Sequence, residues 1–115
     1  MWTASHEHAD KNTVKKYARK HKREYLACLK NLEDLIIFLN SGFSLQQAES
    51  GLGFFSTEGG DIYRIAQTGV PHAKETRLYV YAVVHGEIVH VLTIGDKDTQ
   101  KRDLLRCREI ARNIP

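Results

Sequence analysis

The chain has 115 residues, enough for one domain built round one core. At 42% hydrophobic and 27% charged it is too apolar for a disordered chain. No run reaches the length needed to span a bilayer, and the N-terminus lacks a signal-peptide layout, which sets the expectation of a single cytoplasmic domain over residues 1–115 with no membrane partner. Cys28 and Cys107 both lie inside apolar-periodic stretches. They read as small buried hydrophobes in a reducing compartment, not as a disulfide framework.

Net charge is only +3, but its placement is uneven. Lys11, Lys15, Lys16, Arg19, Lys20, Lys22, Arg23 and Lys30 face a single nearby acid, Glu24, and a second basic run follows from Lys97 to Arg112. Clustered cations attract polyanions or an acidic protein, while a solvated helix face is the plainer explanation of either run alone.

A short edge strand is expected over 2–8. Residues 10–40 contain neither Gly nor Pro and form a helical region; one long helix and a helical hairpin both fit. Tyr25, Cys28, Leu29, Leu32, Leu35, Ile36 and Leu39 fall on one face at the helical period, and Gly42 supplies a left-handed stop. Ser44 and Gln47 form a capping box for a short helix over 44–50. Gly51, Gly53, Gly59 and Gly60 then mark a flexible connection. Strands are expected over 61–67, 76–84 and 87–94, the last two joined by a tight turn at His85-Gly86.

If Val84 pairs with Glu87, Tyr81 lies opposite His90, Tyr79 opposite Leu92 and Arg77 opposite Ile94. Leu78, Val80 and Ala82 then face the other way with Val89, Val91 and Thr93, an apolar face for the N-terminal helices to cover. The opposite face carries Arg77, Tyr79, Tyr81 and His90. A final helix is expected over 98–113 with Asp98 as its cap and Leu104, Cys107, Ile110, Ala111 and Ile114 as its apolar stripe. Lys101 and Arg102 occupy its first turn, where the macrodipole disfavours cations.

Three fragments occur in order: Gly60-Asp61-Ile62-Tyr63-Arg64-Ile65, Glu75-Thr76-Arg77-Leu78-Tyr79-Val80-Tyr81, and Gly95-Asp96-Lys97-Asp98-Thr99-Gln100-Lys101-Arg102-Asp103. Together they resemble the RelE/ParE/HigB toxin superfamily, most of all its HigB-type branch, over roughly residues 60–114. The resemblance implies a small RelE-like α+β domain, with N-terminal helices on a twisted antiparallel sheet and a short C-terminal helix. It further implies a toxin held in check by a cognate antitoxin, acting either as an endoribonuclease on messenger RNA, with or without the ribosome, or as an inhibitor of DNA gyrase. The recurrent strand arginines of that superfamily correspond to Arg64 and Arg77, and its basic post-strand position to Lys97.

RNA cleavage requires activation of a ribose 2′-OH, stabilisation of the phosphate in flight and protonation of the leaving oxygen. Arg64 and Arg77 suit the phosphate role, because a guanidinium donates bidentately and stays charged. Lys97, Lys101 and Arg102 suit neighbouring phosphates. Tyr79 and Tyr81 suit base stacking, although packing under the last helix is the plainer explanation of both. His90 is the candidate proton-exchanging group, with His85 the runner-up. Neither metal-ligand spacing nor a nucleotide loop is present, so no cofactor is expected. The tail after Arg108 lacks the tyrosine or histidine that many ribonuclease members carry there, which favours the protein-target alternative.

Overall fold

A computed structural model describes residues 1–115. The chain runs β1 (Thr3–Ser5), α1 (Lys11–Lys20), α2 (Lys22–Asn40), α3 (Leu45–Gly51), β2 (Phe55–Gly59), β3 (Ile62–Ala66), β4 (Thr76–Val83), β5 (Ile88–Asp96), a 3-10 turn (Lys97–Thr99) and α4 (Gln100–Arg112). It is an α+β domain with one five-stranded sheet in the order β1-β5-β4-β3-β2. The sheet is mixed: β1 runs parallel to β5, and every other pairing is antiparallel. No helix is long and apolar enough to cross a membrane.

The helical region is a pair of helices broken at His21, whose φ of −133° leaves the helical range. Asp10 caps α1 by accepting from the Thr13 N–H, and its own N–H donates to the Leu92 carbonyl at 2.7 Å. The start of α1 is thereby pinned to β5. On α2, Cys28, Leu32, Leu35 and Leu39 pack against Leu78, Val80, Ala82, Val89 and Val91 in the main core. Truncating a side chain as enclosed as Leu35 costs on the order of 2–5 kcal/mol. Gly42, at φ 99°, ends the helix as its lack of a Cβ allows, and the Ser44–Gln47 capping box opens α3.

The edge strand is shorter than residues 2–8, at Thr3–Ser5. It is held by a two-way amide clasp: the Trp2 N–H donates to Asn40 Oδ1 at 2.6 Å, and Asn40 Nδ2 donates to the Trp2 carbonyl at 3.1 Å. This pairing satisfies backbone groups that an edge strand otherwise leaves to solvent.

Three expectations are corrected. The Gly-rich stretch is not a plain connection, because Phe55–Gly59 forms β2 and pairs with β3. Gly59 (φ 88°), Gly60 (φ 60°) and Asp61 (φ 65°) make the turn between them, so the glycines punctuate a hairpin. The β4–β5 register agrees with the Tyr81–His90 pairing, but a bulge between Tyr79 and Val80 then shifts it. Tyr79 lies opposite Thr93 and Arg77 opposite Gly95, in place of Leu92 and Ile94. The extra residue on β5 is Leu92, which stays on the α4 side as expected, while Ile94, instead of Thr93, enters the main core. Finally, Asp96 and not Asp98 is the cap: its side chain accepts from the N–H groups of Asp98 and Thr99.

α4 covers the sheet face opposite α2. Cys107 and Ile110 pack with Ile62, Tyr79 and Leu92, and Leu104, Ala111 and Ile114 extend the contact. Where α4 begins, Gly95 lies directly beneath it. A Cβ at Gly95 would collide with Asp103 Oδ2 and lie 2.6 Å from Thr99 Oγ1. Asp103 is buried and accepts from the Thr99 hydroxyl at 2.6 Å, so it cannot swing aside without losing that bond. Gly95→Ala is therefore expected to destabilise the domain by roughly 1–3 kcal/mol or more, seen as a lower urea midpoint with an unchanged denaturant slope. An unchanged midpoint would show that the approach is not tight.

Candidate functional site

Arg64 on β3 lies opposite Tyr79, and Arg77 on β4 lies opposite Ala66. Side chains on directly paired residues share a face, which makes the two arginines diagonal neighbours on the α4 side of the sheet. They are joined through two further residues. Glu58, in the irregular end of β2, places Oε2 3.9 Å from the Arg64 guanidinium and accepts from Gln100 Nε2 at 3.1 Å. The Gln100 side-chain carbonyl in turn accepts from Arg77. The arrangement is an Arg–Glu–Gln–Arg chain spanning three strands and the first turn of α4.

Its electrostatics follow from the residues present. Arg64 approaches the Glu58 carboxylate, whereas Arg77 pairs with no carboxylate and reaches Glu58 only through the neutral Gln100 amide. Arg64 is 31% exposed and Glu58 12%, so the chain is accessible to solvent yet shielded enough for charge-assisted hydrogen bonds to matter. Glu58 also borders a groove of about 950 Å³ between the β2–β3 turn and α4. Tyr81 lies in its floor, half-buried, and Arg108 and Arg112 stand on its α4 wall.

The other residues singled out from the sequence fall in different places. Tyr79 is fully buried among Leu92, Cys107 and Ile110. Its hydroxyl has no hydrogen-bond partner. Burial first, then the nearby Asp103 charge, push its phenol up to about 12. It offers no face to a base, and packing under α4 accounts for it. Tyr81 keeps an open side toward the groove. Lys97 is exposed and 4.0 Å from Glu75, Lys101 is exposed, and Arg102 is 79% exposed with Asp103 at 3.9 Å.

His90 does not join the arginines. It pairs with Tyr81, four residues along β4 from Arg77, a separation of roughly 13 Å at the strand rise. It is buried, its Nδ1 has no partner, and its ring meets that of His8 edge-on at 5.6 Å and stacks near Tyr81 at 6.2 Å. Burial, then the His8 charge, hold its pKa below the ordinary histidine value. His85 sits exposed in the β4–β5 turn. No three His, Cys, Asp or Glu side chains converge closely enough to hold a metal ion.

Sequence reasoning missed Glu58, hidden as a lone acid in a Gly-rich tract. Gln100 lay in plain view within the third fragment, whose spacing is now explained. Gly95 admits α4, Asp96 caps the 3-10 turn, Gln100 tethers Arg77, and Asp103 accepts from Thr99. No protein-family model, curated protein or solved structure matches the chain.

A histidine held below its ordinary pKa binds fewer protons folded than unfolded. Stability is then complete above the unfolded value near 6.5 and is lost as pH falls toward the lowered value. His90→Leu should flatten the decline in urea midpoint between about pH 7 and pH 5 relative to the native chain. Equal pH profiles for the two proteins would show that His90 does not carry it.

Proposed function

We propose that this chain is the toxin of a toxin–antitoxin pair of the RelE/ParE/HigB type and that it cleaves messenger RNA, free or on the ribosome. The observation that carries this reading is the Arg64–Glu58–Gln100–Arg77 chain, in which Arg77 has no carboxylate partner of its own and so offers its charge to a phosphate beside a candidate base. The order of elements supports it: two helices after a parallel edge strand, an antiparallel sheet, and a last helix entered through Gly95–Asp103.

In this mechanism Arg64 and Arg77 grip the non-bridging oxygens of the scissile phosphate, where charge grows as a fifth oxygen bonds to phosphorus. Glu58 takes the proton of the ribose 2′-OH. The 2′-oxygen bonds to phosphorus, the bond to the 5′-oxygen breaks, and a 2′,3′-cyclic phosphate forms. The departing 5′-oxygen takes its proton from water or from a ribosomal group, since His90 stands too far along the sheet. Gln100 is a positioning residue that holds Glu58 and Arg77 in one geometry. Tyr81 and the groove beneath α4 receive the neighbouring nucleotides, with Lys97, Lys101 and Arg102 along the approach. The restraining partner is a cognate antitoxin.

A second reading is favoured by one observation. No imidazole stands beside the arginines, and the phenol that does, Tyr79, is fully buried with its pKa pushed up to about 12, whereas a toxin that binds a protein such as DNA gyrase needs no proton donor.

Inducible expression in a bacterial host with mapping of transcript ends tests both. The native chain is expected to arrest growth and create new RNA ends. Glu58→Gln should lower cleavage by roughly 10²–10⁴-fold, and Arg64→Ala/Arg77→Ala by at least about 10²-fold, with both variants folded by circular dichroism. Arrest without new ends, together with inhibited supercoiling by purified gyrase, would establish the second reading. No arrest and no cleavage would end the toxin assignment.

A further inference from the structure

The first turn of α4 has two sides. One presents Gln100 to Arg77 and Glu58. The other closes a polar cleft of about 270 Å³ against the end of β5, the body of α1 and the break at His21. Lys16 and Lys20 line this cleft from α1, His21 from the break and Arg102 from α4.

These groups are short of acidic partners. Lys16 and Lys20 stand four residues apart on one helix, where like charges repel, and neither forms a salt bridge. Arg102 lies in the first turn of α4, where the helix dipole disfavours a cation. It is 79% exposed, and its one acidic neighbour is Asp103 at 3.9 Å. The acid that borders the cleft, Asp96, is committed elsewhere. Its Oδ1 accepts from the N–H groups of Asp98 and Thr99, and its Oδ2 faces Lys74 at 3.7 Å. His21 turns Nδ1 toward the buried Glu24 at 3.7 Å, which leaves Nε2 for a ligand. Thr13 adds a hydroxyl.

We propose that this cleft binds the terminal phosphoryl group of a phosphomonoester, carried by a free nucleotide or by the 5′ end of an RNA strand. Charge and size select it. A phosphomonoester brings nearly two negative charges and three acceptor oxygens at neutral pH, whereas a backbone diester brings a single charge. Lysines meet those oxygens as point charges, and the planar guanidinium of Arg102 can hold two of them at once. The volume of about 270 Å³ lies below the roughly 300–1,000 Å³ of sites that enclose a drug-sized molecule. The cleft therefore takes the phosphoryl group and leaves the rest of its carrier outside. It is separate from the arginine pair, because it borders Ile94, which belongs to the core under α2. The proposal goes beyond the toxin reading and holds whether or not the chain cleaves RNA.

The test follows the backbone amides of the full-length chain by NMR during titration with four probes. These are inorganic phosphate, a nucleoside 5′-monophosphate, and one short 2′-O-methyl oligonucleotide with a 5′-phosphate or a 5′-hydroxyl, neither of which can be cleaved through a 2′-OH. Saturable shifts are expected at Thr13, Gly95 and Thr99 with the phosphomonoesters and not with the 5′-hydroxyl strand. A response to the nucleotide assigns the site to free phosphomonoesters; a response to the 5′-phosphorylated strand alone assigns it to RNA ends. Lys16→Gln/Arg102→Gln should weaken binding at least about tenfold. Lys11→Gln/Lys15→Gln, which removes the same charge from α1 outside the cleft, should leave it within about twofold, as should Arg64→Ala/Arg77→Ala. Four outcomes overturn the proposal: no saturable shift with any probe, an equal response to the 5′-hydroxyl strand, equal loss in the two glutamine pairs, or shifts centred on Arg64 and Arg77. Failure of the ribonuclease reading is read separately, from transcript ends.

Discussion

The placement of α4 depends on a single missing side chain. Gly95 is buried in β5 directly beneath Thr99 and Asp103, and only at that separation can the helix begin where it does. From there the consequences run in sequence. Asp96 caps the 3-10 turn while the Thr99 hydroxyl bonds back to Asp103, and the next residue, Gln100, reaches Arg77 on one side and Glu58 on the other. The same helix then lays Cys107 and Ile110 over Tyr79 and Leu92. The polar chain and the small second core are two results of one packing event. Asp103 accepts a cost for it: burial raises its pKa, and the Thr99 hydrogen bond only partly offsets that.

β5 is the strand on which the domain is organised. It pairs with β1 on one side and β4 on the other, receives the Asp10 N–H from the start of α1, and bulges once. Below the bulge Val89 and Val91 face α2; beyond it Ile94 does, while Leu92 turns toward α4. A regular strand would have carried the alternation straight through and put Thr93 in the main core, with Leu92 and Ile94 together under α4. The extra residue lets both layers be filled by aliphatic side chains.

Much of this was legible because it rests on local periodicity. The α2 stripe, the Ser44–Gln47 box, the Gly42 stop and the α4 stripe each depend on residues within a few positions of one another. What was not legible depends on pairing across distance. β2 has a single buried residue, Phe55, at the head of a five-residue strand flanked by glycines, so nothing in its own composition separates it from a loop. The bulge falls among Val91, Leu92, Thr93 and Ile94, all good strand formers, where alternation cannot report a one-residue slip. Glu58 became visible as a site residue only when β2 brought it beside Arg64. His90 was correctly placed opposite Tyr81, yet that register itself carries it to the far end of the sheet from Arg77.

The distribution of acids completes the picture. Some surface cations are answered: Lys74 approaches Asp96 and Asp98, Lys97 approaches Glu75, and Arg106 bridges Asp10 and Glu109. Such exposed pairs contribute little to stability; their relevance is that they show what neutralisation looks like in this chain. Other cations have no such partner, among them Arg108 and Arg112 beside the groove under α4, and two clusters stand out. In the arginine cluster only Arg64 approaches a carboxylate, that of Glu58, and Arg77 is held by the Gln100 amide. α1 keeps none for five cations, and on one flank Lys11, Lys15 and Arg19 border an apolar floor. The two cationic surfaces lie on opposite faces of one sheet and differ in kind: one is bound into a chain with a carboxylate and an amide, the other carries no acid at all.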